Sequence, residues 1–372
     1  MNLLERLLGN STVEWIPLDQ LIEVITPPSK LKKESYNNTG DIPIIDQGMD
    51  FIAGYTDKNI PFVENGQYII FGDHSEHIKY IDFSFVQGAD GLKILKPKYG
   101  NAKYIYYAFQ NFYEKELNYK RHWSKAKETL IPIPHPDNPK KSLAIQNKIV
   151  GILDKFTELT AELTAELTTR KKQYEYYRNQ LLGQKNNNIQ WLQLGKLAEN
   201  LDSMRKPITS NSRESGKYPY YGASGIIDYI NDYIFDGDFL LVSEDGANLM
   251  ARNTPIAFSI SGKNWVNNHA HVLKFKTYFE QKYVEYYLNN ISLKPYLTGA
   301  AQPKLTKSSL ENLIIPNPPI EEKIRIVTIL DNFEILTNSI TEGLPHEIAL
   351  REKQYEYYRN LLFSFPKPQE VA

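Results

Sequence analysis

Between residues 145 and 163 the apolar positions are Ile145, Ile149, Ile152, Phe156, Leu159 and Leu163, in alternating steps of four and three. That spacing is the seam of a helix that turns one stripe toward a partner helix. The step to Leu167 is four again, a stutter, and it falls on a tandem repeat, Thr160-Ala161-Glu162-Leu163 followed by Thr164-Ala165-Glu166-Leu167. The seam resumes at Tyr174, Tyr177 and Leu181. A second seam runs through Ile326, Ile329, Phe333, Leu336, Ile340, Leu344 and Ile348 to Tyr355, Tyr358 and Leu362, and Gly343 and Pro345 are expected to interrupt it. Ahead of each seam the pattern changes to short β-rich runs bounded by turn residues, such as Gln67-Tyr68-Ile69-Ile70-Phe71 and Asp238-Phe239-Leu240-Leu241-Val242. Proline clusters at 132–139 and 316–319 close those regions, and Ser142 is the expected N-cap of the first long helix.

The two halves are copies of one plan. Lys172-Gln173-Tyr174-Glu175-Tyr176-Tyr177-Arg178-Asn179 returns unchanged as Lys353-Gln354-Tyr355-Glu356-Tyr357-Tyr358-Arg359-Asn360. Ile149-Val150-Gly151-Ile152-Leu153-Asp154 is echoed by Ile326-Val327-Thr328-Ile329-Leu330-Asp331, and Trp15-Ile16-Pro17-Leu18 by Trp191-Leu192-Gln193-Leu194. Leu7-Leu8-Gly9 resembles Leu181-Leu182-Gly183, the end of the repeated unit, which gives the chain a cyclic order. The expected organisation is an α+β protein: an N-terminal helical segment (1–14), a globular domain (15–135), a helical arm (136–185), a second globular domain (186–315) and a second arm (316–372). Two matching seams in one chain most simply pack as an antiparallel pair.

Composition narrows the chemistry. Hydrophobic residues are 41% and charged residues 23% of the 372, enough apolar material for real cores, and no apolar run approaches the ~20 residues of a membrane helix. The absence of cysteine excludes disulfides, a Cys nucleophile and Cys-ligated metals, and fits the cytoplasm. Forty-three basic against 44 acidic side chains leave little charge for indiscriminate nucleic-acid binding. No Walker motif, no His-Glu-x-x-His and no glycine-rich cofactor turn appears. Asn317-Pro318-Pro319-Ile320 resembles the Asn-Pro-Pro-aromatic loop of adenine methyltransferases, but Ile stands at the aromatic position and the sequence reads as a boundary turn. His269-Ala270-His271 places two imidazoles on one strand face without a third ligand nearby in sequence.

Two diverged α+β domains alternating with repeated helical arms resemble the DNA-specificity subunit of type I restriction–modification enzymes. The paired Lys-Gln-Tyr-Glu-Tyr-Tyr-Arg blocks carry the resemblance from about Trp15 to Phe363. The Thr-Ala-Glu-Leu tandem (Thr160, Leu163, Thr164, Leu167) looks like the spacer repeat of the type IC branch. The resemblance implies a non-catalytic subunit that binds double-stranded DNA, each globular part reading one half of a bipartite site. It implies two methyltransferase subunits as partners, which hold S-adenosylmethionine, and restriction subunits that join them; this chain itself takes no cofactor and no metal. A self-contained adenine methyltransferase or nuclease, and a pure coiled-coil adaptor, are the competing readings.

Candidate DNA contacts follow from charge along the chain. Lys120, Arg121, Lys125 and Lys127, with Trp123, lie in an acid-free run. In the second copy Lys304 and Lys307, with Gln302, lie in the acid-free stretch 292–307, and Arg252 and Lys263 in the acid-free stretch 246–279. Such runs suit phosphates, and equally suit solvated loops. Polar loops after apolar strands offer groups for base edges: Asp46, Gln47, His74 and Ser75 in the first copy, Ser243, Glu244 and Asn248 in the second. Tyr174 and Tyr177 continue the seam, whereas Tyr176 and Arg178, with their twins Tyr357 and Arg359, are candidates for a partner interface.

Overall fold

The computed structural model describes residues 3–9, 12–183, 189–251, 254–299 and 303–366. The chain divides into two compact units: Met1–Leu163 together with Ile348–Ala372, and Thr164–Glu347.

In the first unit α1 (Leu3–Leu8) precedes β1 (Val13–Pro17), and α2 (Leu18–Leu21) follows it. The main sheet orders β2 (Ile22–Ile25), β8 (Leu92–Pro97), β5 (Tyr68–Gly72) and β6 (Ile78–Ile81). A smaller sheet orders β4 (Gly54–Thr56), β3 (Ile42–Ile45) and β7 (Val86–Gln87), with β3 parallel to β7. β5 is apolar without a break because both its faces are covered. Ile69 and Phe71 enter one core with Tyr104, Ile105 and Phe109 of α3 (Ala102–Phe112), while Tyr68 and Ile70 enter a second with Ile45, Phe85 and Ile94. The Asn101 side chain caps α3 by accepting from the Tyr104 N–H. After the short α4 (Trp123–Ala126), β9 (Leu130–Pro134) returns to pair with β1, Trp15 lying opposite Pro132.

The second unit repeats this plan. β10 (Gln190–Gln193) pairs with β19 (Ile314–Asn317), with Trp191 opposite Pro316, and α6 (Leu194–Leu197) follows β10 as α2 follows β1. The main sheet orders β11 (Glu199–Asn200), β18 (Ala270–Lys274), β15 (Phe239–Ser243) and β16 (Ala257–Ile260). The other orders β13 (Gly225–Ile230), β12 (Ser215–Gly222), β17 (Lys263–Val266) and β14 (Phe235–Asp236), with β12 parallel to β17. β15 again divides its side chains, Leu240 and Val242 to one core, Phe239 and Leu241 to another. α7 (Gly246–Ala251) follows β15, α8 (Tyr278–Asn290) is capped by Thr277, and α9 (Lys307–Glu311) precedes β19.

The first arm is one helix, α5 (Pro139–Leu182), of 44 residues, about 66 Å long at ~1.5 Å per residue. Its N-terminal half belongs to the first unit and its C-terminal half to the second, the division falling between the two Thr-Ala-Glu-Leu repeats. The second arm is two helices, α10 (Ile320–Asn338) and α11 (Gly343–Leu362), broken where Gly343 adopts φ +75°. Each unit pairs a stretch of α5 antiparallel with one of these. In the first, Phe156 stacks on Tyr358, while the earlier Ile145 and Ile149 share a core with the later Leu362 and Phe363. In the second, Tyr174 and Tyr177 pack on Phe333, while the later Leu181 and Leu182 join the earlier Ile326 and Leu330.

Three sequence expectations need correction. Asn138, not Ser142, caps α5: its side chain accepts from the Lys141 N–H, and the Ser142 hydroxyl accepts instead from Gln146. Val150 and Leu153, outside the heptad seam, are buried, whereas seam residue Leu159 is 44% exposed. The first turns of α5 face the core of the globular domain, which calls for a broader apolar stripe than a coiled coil. Ile340 falls in the break between α10 and α11 and is exposed.

Candidate nucleic-acid interface

In the first unit the loops after β3 and β5 are tied together. The Gln47 side chain accepts from the His74 N–H and donates to the Asp90 carbonyl, and the Ser75 hydroxyl bonds the Gln47 carbonyl. Asp46 accepts from the Gly48 N–H in a tight turn. The amide of Gln47 and the hydroxyl of Ser75 are therefore spent on loop geometry, and the His74 ring remains partly open. Asp73 and Glu76, both buried, fix the next layer. Asp73 accepts from the N–H groups of His122 and Trp123. Glu76 accepts from the Tyr113 hydroxyl at 2.6 Å and the Glu116 and Leu117 N–H groups at 2.9 and 2.8 Å. Burial opposes charge on Glu76, but these donors and the nearby His122 outweigh it and hold its carboxyl below the usual range. Trp123 is half-buried, its ring 5.9 Å from Phe71, so it anchors α4 and does not project. The basic run is acid-free only along the chain: Glu116 pairs with Lys120 at 2.6 Å and Lys125 at 3.5 Å. Arg121 is exposed, and Lys127 is half-buried.

The second unit has the same layout with different residues. Glu244, after β15, accepts from Arg205 at 3.1 Å and pairs with Lys304 at 3.3 Å. Ser243 is fully buried, so the expectation that it reads a base edge is corrected; Glu244, neutralised by two cations, is a brace between loops. The His271 ring binds Asp202 at 2.6 Å and the Leu305 carbonyl at 2.7 Å. His269 leans on Asp245 at 3.1 Å, beside a cleft of about 320 Å³ lined by the β12–β13 turn and the start of β13 (Ala223 to Ile227). The two histidines thus serve different carboxylates, and among the described residues no cluster of three or more His, Asp or Glu could hold a metal. Lys263 is exposed over the Tyr233 ring, and Lys307 faces Glu311 at 3.7 Å. The Asn248 side chain, Arg252 and Gln302 lie outside the described residues.

On the arms Tyr176 and Tyr357 are 59% and 64% exposed, and each meets the next tyrosine, Tyr177 or Tyr358, edge-on. Arg178 and Arg359 instead fold back over Tyr174 and Tyr355, and Arg178 also donates to Asn290, so these arginines brace the arm. The Thr160 hydroxyl bonds the Phe156 carbonyl along the helix. Leu163 and Leu167 are half-buried, and Thr164 is exposed. Asn317 is held by Lys323 at 2.6 Å, which makes the Asn-Pro-Pro sequence a strand-to-helix turn.

Both halves match the same family model, described as the type I restriction modification DNA specificity domain, at residues 10–170 and 186–350. The chain belongs to that family. It is similar along its whole length to the type I restriction enzyme EcoR124I/EcoR124II specificity subunit of Escherichia coli, at 38% identity over 402 residues, covering 100% of this chain and 99% of the relative. The EcoprrI specificity subunit of Escherichia coli is 33% identical over 383 residues, 92% of each chain. The crystal structure of a type I restriction–modification S subunit from M. genitalium shares the fold, with a TM-score of 0.63 at 16% identity over 96% of this chain and 98% of that one.

As a type I specificity subunit, the chain contributes DNA recognition rather than catalysis, and each of its two specificity domains carries one set of the loops described above. The acid-free runs overstated the free cations, because the neutralising acids lie just outside each run, as Glu116 and Glu311 do, or come from a distant loop, as Glu244 does. Sequence reasoning missed Leu117 and Tyr119, 84% and 91% exposed at the tip of the loop held by Glu76. The signal available was slight: two large apolar or aromatic residues set among Lys115, Lys120 and Arg121.

Proposed function

We propose that this subunit reads a bipartite DNA site, one half per globular domain, and carries two methyltransferase subunits that hold S-adenosylmethionine and modify the site. Restriction subunits complete the assembly, in the cytoplasm. The observation that carries the reading is the repetition of one recognition fold, the same closing strand pair and the same four-stranded main sheet in each copy, with each copy matched by the DNA specificity domain. The loops that differ between the copies sit on main sheets of the same strand order, which is what two different half-sites require of one scaffold.

The chain's near-neutral charge, and the pairing of Lys120, Lys125 and Lys304 with its own carboxylates, leave little long-range pull on phosphates. Affinity therefore rises when the methyltransferase subunits join. No cofactor is assigned to this chain: the Asn317 side chain is engaged by Lys323, which speaks against a fused methyltransferase. The test is methylome mapping of cells expressing this chain with its methyltransferase partners. A single bipartite motif is expected, with both halves dependent on this chain. Methylation without a split motif, or tight S-adenosylmethionine binding by the purified chain, would overturn the reading.

A further inference from the structure

We propose that the segment Glu114–Arg121 is a base-reading finger of the first domain, in which Leu117 and Tyr119 touch bases of the half-site that this domain recognises. The inference rests on the DNA-reading function proposed above and assigns it to residues at one loop tip.

Leu117 has φ +55°, a left-handed conformation that is a genuine outlier for a bulky side chain and costs stability. Its side chain is 84% exposed, so no burial in this structure offsets that cost. The segment is nevertheless firmly held. Glu76, buried and itself at φ +55°, takes the Leu117 N–H, the Glu116 N–H and the Tyr113 hydroxyl on one carboxylate. At the far end His122, also buried, meets the Asn118 carbonyl through Nε2 at 2.9 Å. Its Nδ1 lies 3.4 Å from Glu76 and 3.3 Å from Glu116. The fold thus spends buried polar groups to hold an apolar tip in solvent in a strained shape, a combination found where a site is organised in advance for its ligand.

The tip has the chemistry of a base contact. Tyr119, 91% exposed, stacks on the His74 ring with centroids 5.3 Å apart and planes 19° apart, and His74 is itself steadied by the Lys120 carbonyl at 3.1 Å. The stack is a preformed platform that needs little ordering on binding. Lys115 and Arg121 are exposed around it and suit phosphates, while Leu117 suits the apolar part of a base edge, such as a thymine methyl in the major groove. The charge at the rim and the apolar centre point to DNA as the occupant.

The test uses the full chain assembled with its methyltransferase subunits and two variants, Leu117→Gly and Tyr119→Ala. Relative methylation rates are read on duplex libraries in which one half-site at a time is randomised, beside the melting temperature of each complex. Glycine accepts φ +55° without strain, so Leu117→Gly should melt no lower than the unaltered protein. Its discrimination within one half-site should nevertheless fall by about tenfold or more, the range of one mismatched base pair, with the other half unchanged. Tyr119→Ala should relax the same half. Unaltered selectivity in both variants overturns the inference and leaves the DNA-reading function standing. A uniform loss of methylation with selectivity intact also overturns it, since the tip would then be an assembly contact. If the unaltered complex itself shows no sequence preference, the functional proposal fails, and this inference fails with it.

Discussion

Removing the Asp154 carboxylate should loosen the first globular domain from its arm by a measurable and attributable amount. Tyr107 of α3 is 5% exposed and donates its hydroxyl to Asp154 Oδ1 at 2.7 Å, while Lys103 reaches Oδ2 at 2.8 Å. Burial, reinforced by the Asp154 carboxylate, pushes the Tyr107 phenol well above its ordinary value, so it stays a donor throughout the physiological range. A hydrogen bond to a charged acceptor contributes ~1.5–3 kcal/mol. The Lys103 pair is about one-third exposed on each side and adds ~0–1 kcal/mol. Asp154→Ala should therefore cost about 2–4 kcal/mol, a fall of roughly 5–15 °C in the melting of the unit that contains it. Asp154→Asn keeps an acceptor for Tyr107 and should cost less. The assay is urea and thermal unfolding of Asp154→Ala, Tyr107→Phe and the double variant, which together give the coupling between the two side chains. A coupling of about 1.5–3 kcal/mol is expected; a value under ~0.5 kcal/mol, the scatter of independent sites, would refute the clamp. The second unit holds the equivalent clamp, Tyr286 bonded to Asp331 and Glu334.

Three further outcomes are expected. Inserting a third Thr-Ala-Glu-Leu unit after Leu167 adds about 6 Å of helix and keeps the seam in register through a stutter. Methylation on graded spacers should shift the preferred spacer by one base pair with both half-sites unchanged, whereas a two-residue insertion should abolish activity. Gly246→Ala would place its Cβ 2.0 Å from the Pro303 carbonyl oxygen, backbone that cannot swing aside, so selectivity at the second domain's half-site should degrade while the first domain's half persists in the same library assay. Burial alone would raise the Asp202 pKa, but the His271 ring, the Val272 N–H and Arg205 outweigh it and hold it below the ordinary value. A depressed carboxyl gives stability that is present above its unfolded pKa of about 4 and lost as pH falls through the lower folded value. Melts of Asp202→Asn should therefore lie below those of the unaltered protein near pH 7, and the gap should narrow as pH falls from about 4 toward the lower folded value; a gap that widened on acidification would contradict the assignment.

The repeats were legible because a copied sequence folds to a copied plan: Trp15 and Trp191 occupy the same place opposite a proline of the closing strand. The interruption at Gly343 was legible because glycine and proline act locally. The recognition loops were legible only in outline. A run such as Lys120–Lys127 looks free of acid until the fold brings Glu116 against it, and Ser243 looks like a loop donor until β15 is seen to end inside the core. Leu117 was only faintly marked by its basic neighbours, since its distinction lies in a dihedral angle and an exposure, neither of which is written in residue type. The seam misjudged Val150 and Leu153 for a related reason: a helix that faces a domain core at one end and a single helix further on needs two stripes, and one period cannot describe both.

The discontinuity of the first unit sets a timetable for the nascent chain. The Trp15 indole donates to the Pro366 carbonyl across 351 residues, and Phe363 packs against Tyr104 and Phe112. At ~5–20 residues per second, about 20–70 s separate the synthesis of Trp15 from that of Pro366. The second unit, contiguous from Thr164 to Glu347, has all its residues beforehand. During that interval the aromatic surface around Trp15 and Phe112 stands uncovered, the kind of surface that chaperones hold and proteases probe. A chain cut short at Glu347 would carry every residue of the second unit while the first still lacked its closing segment.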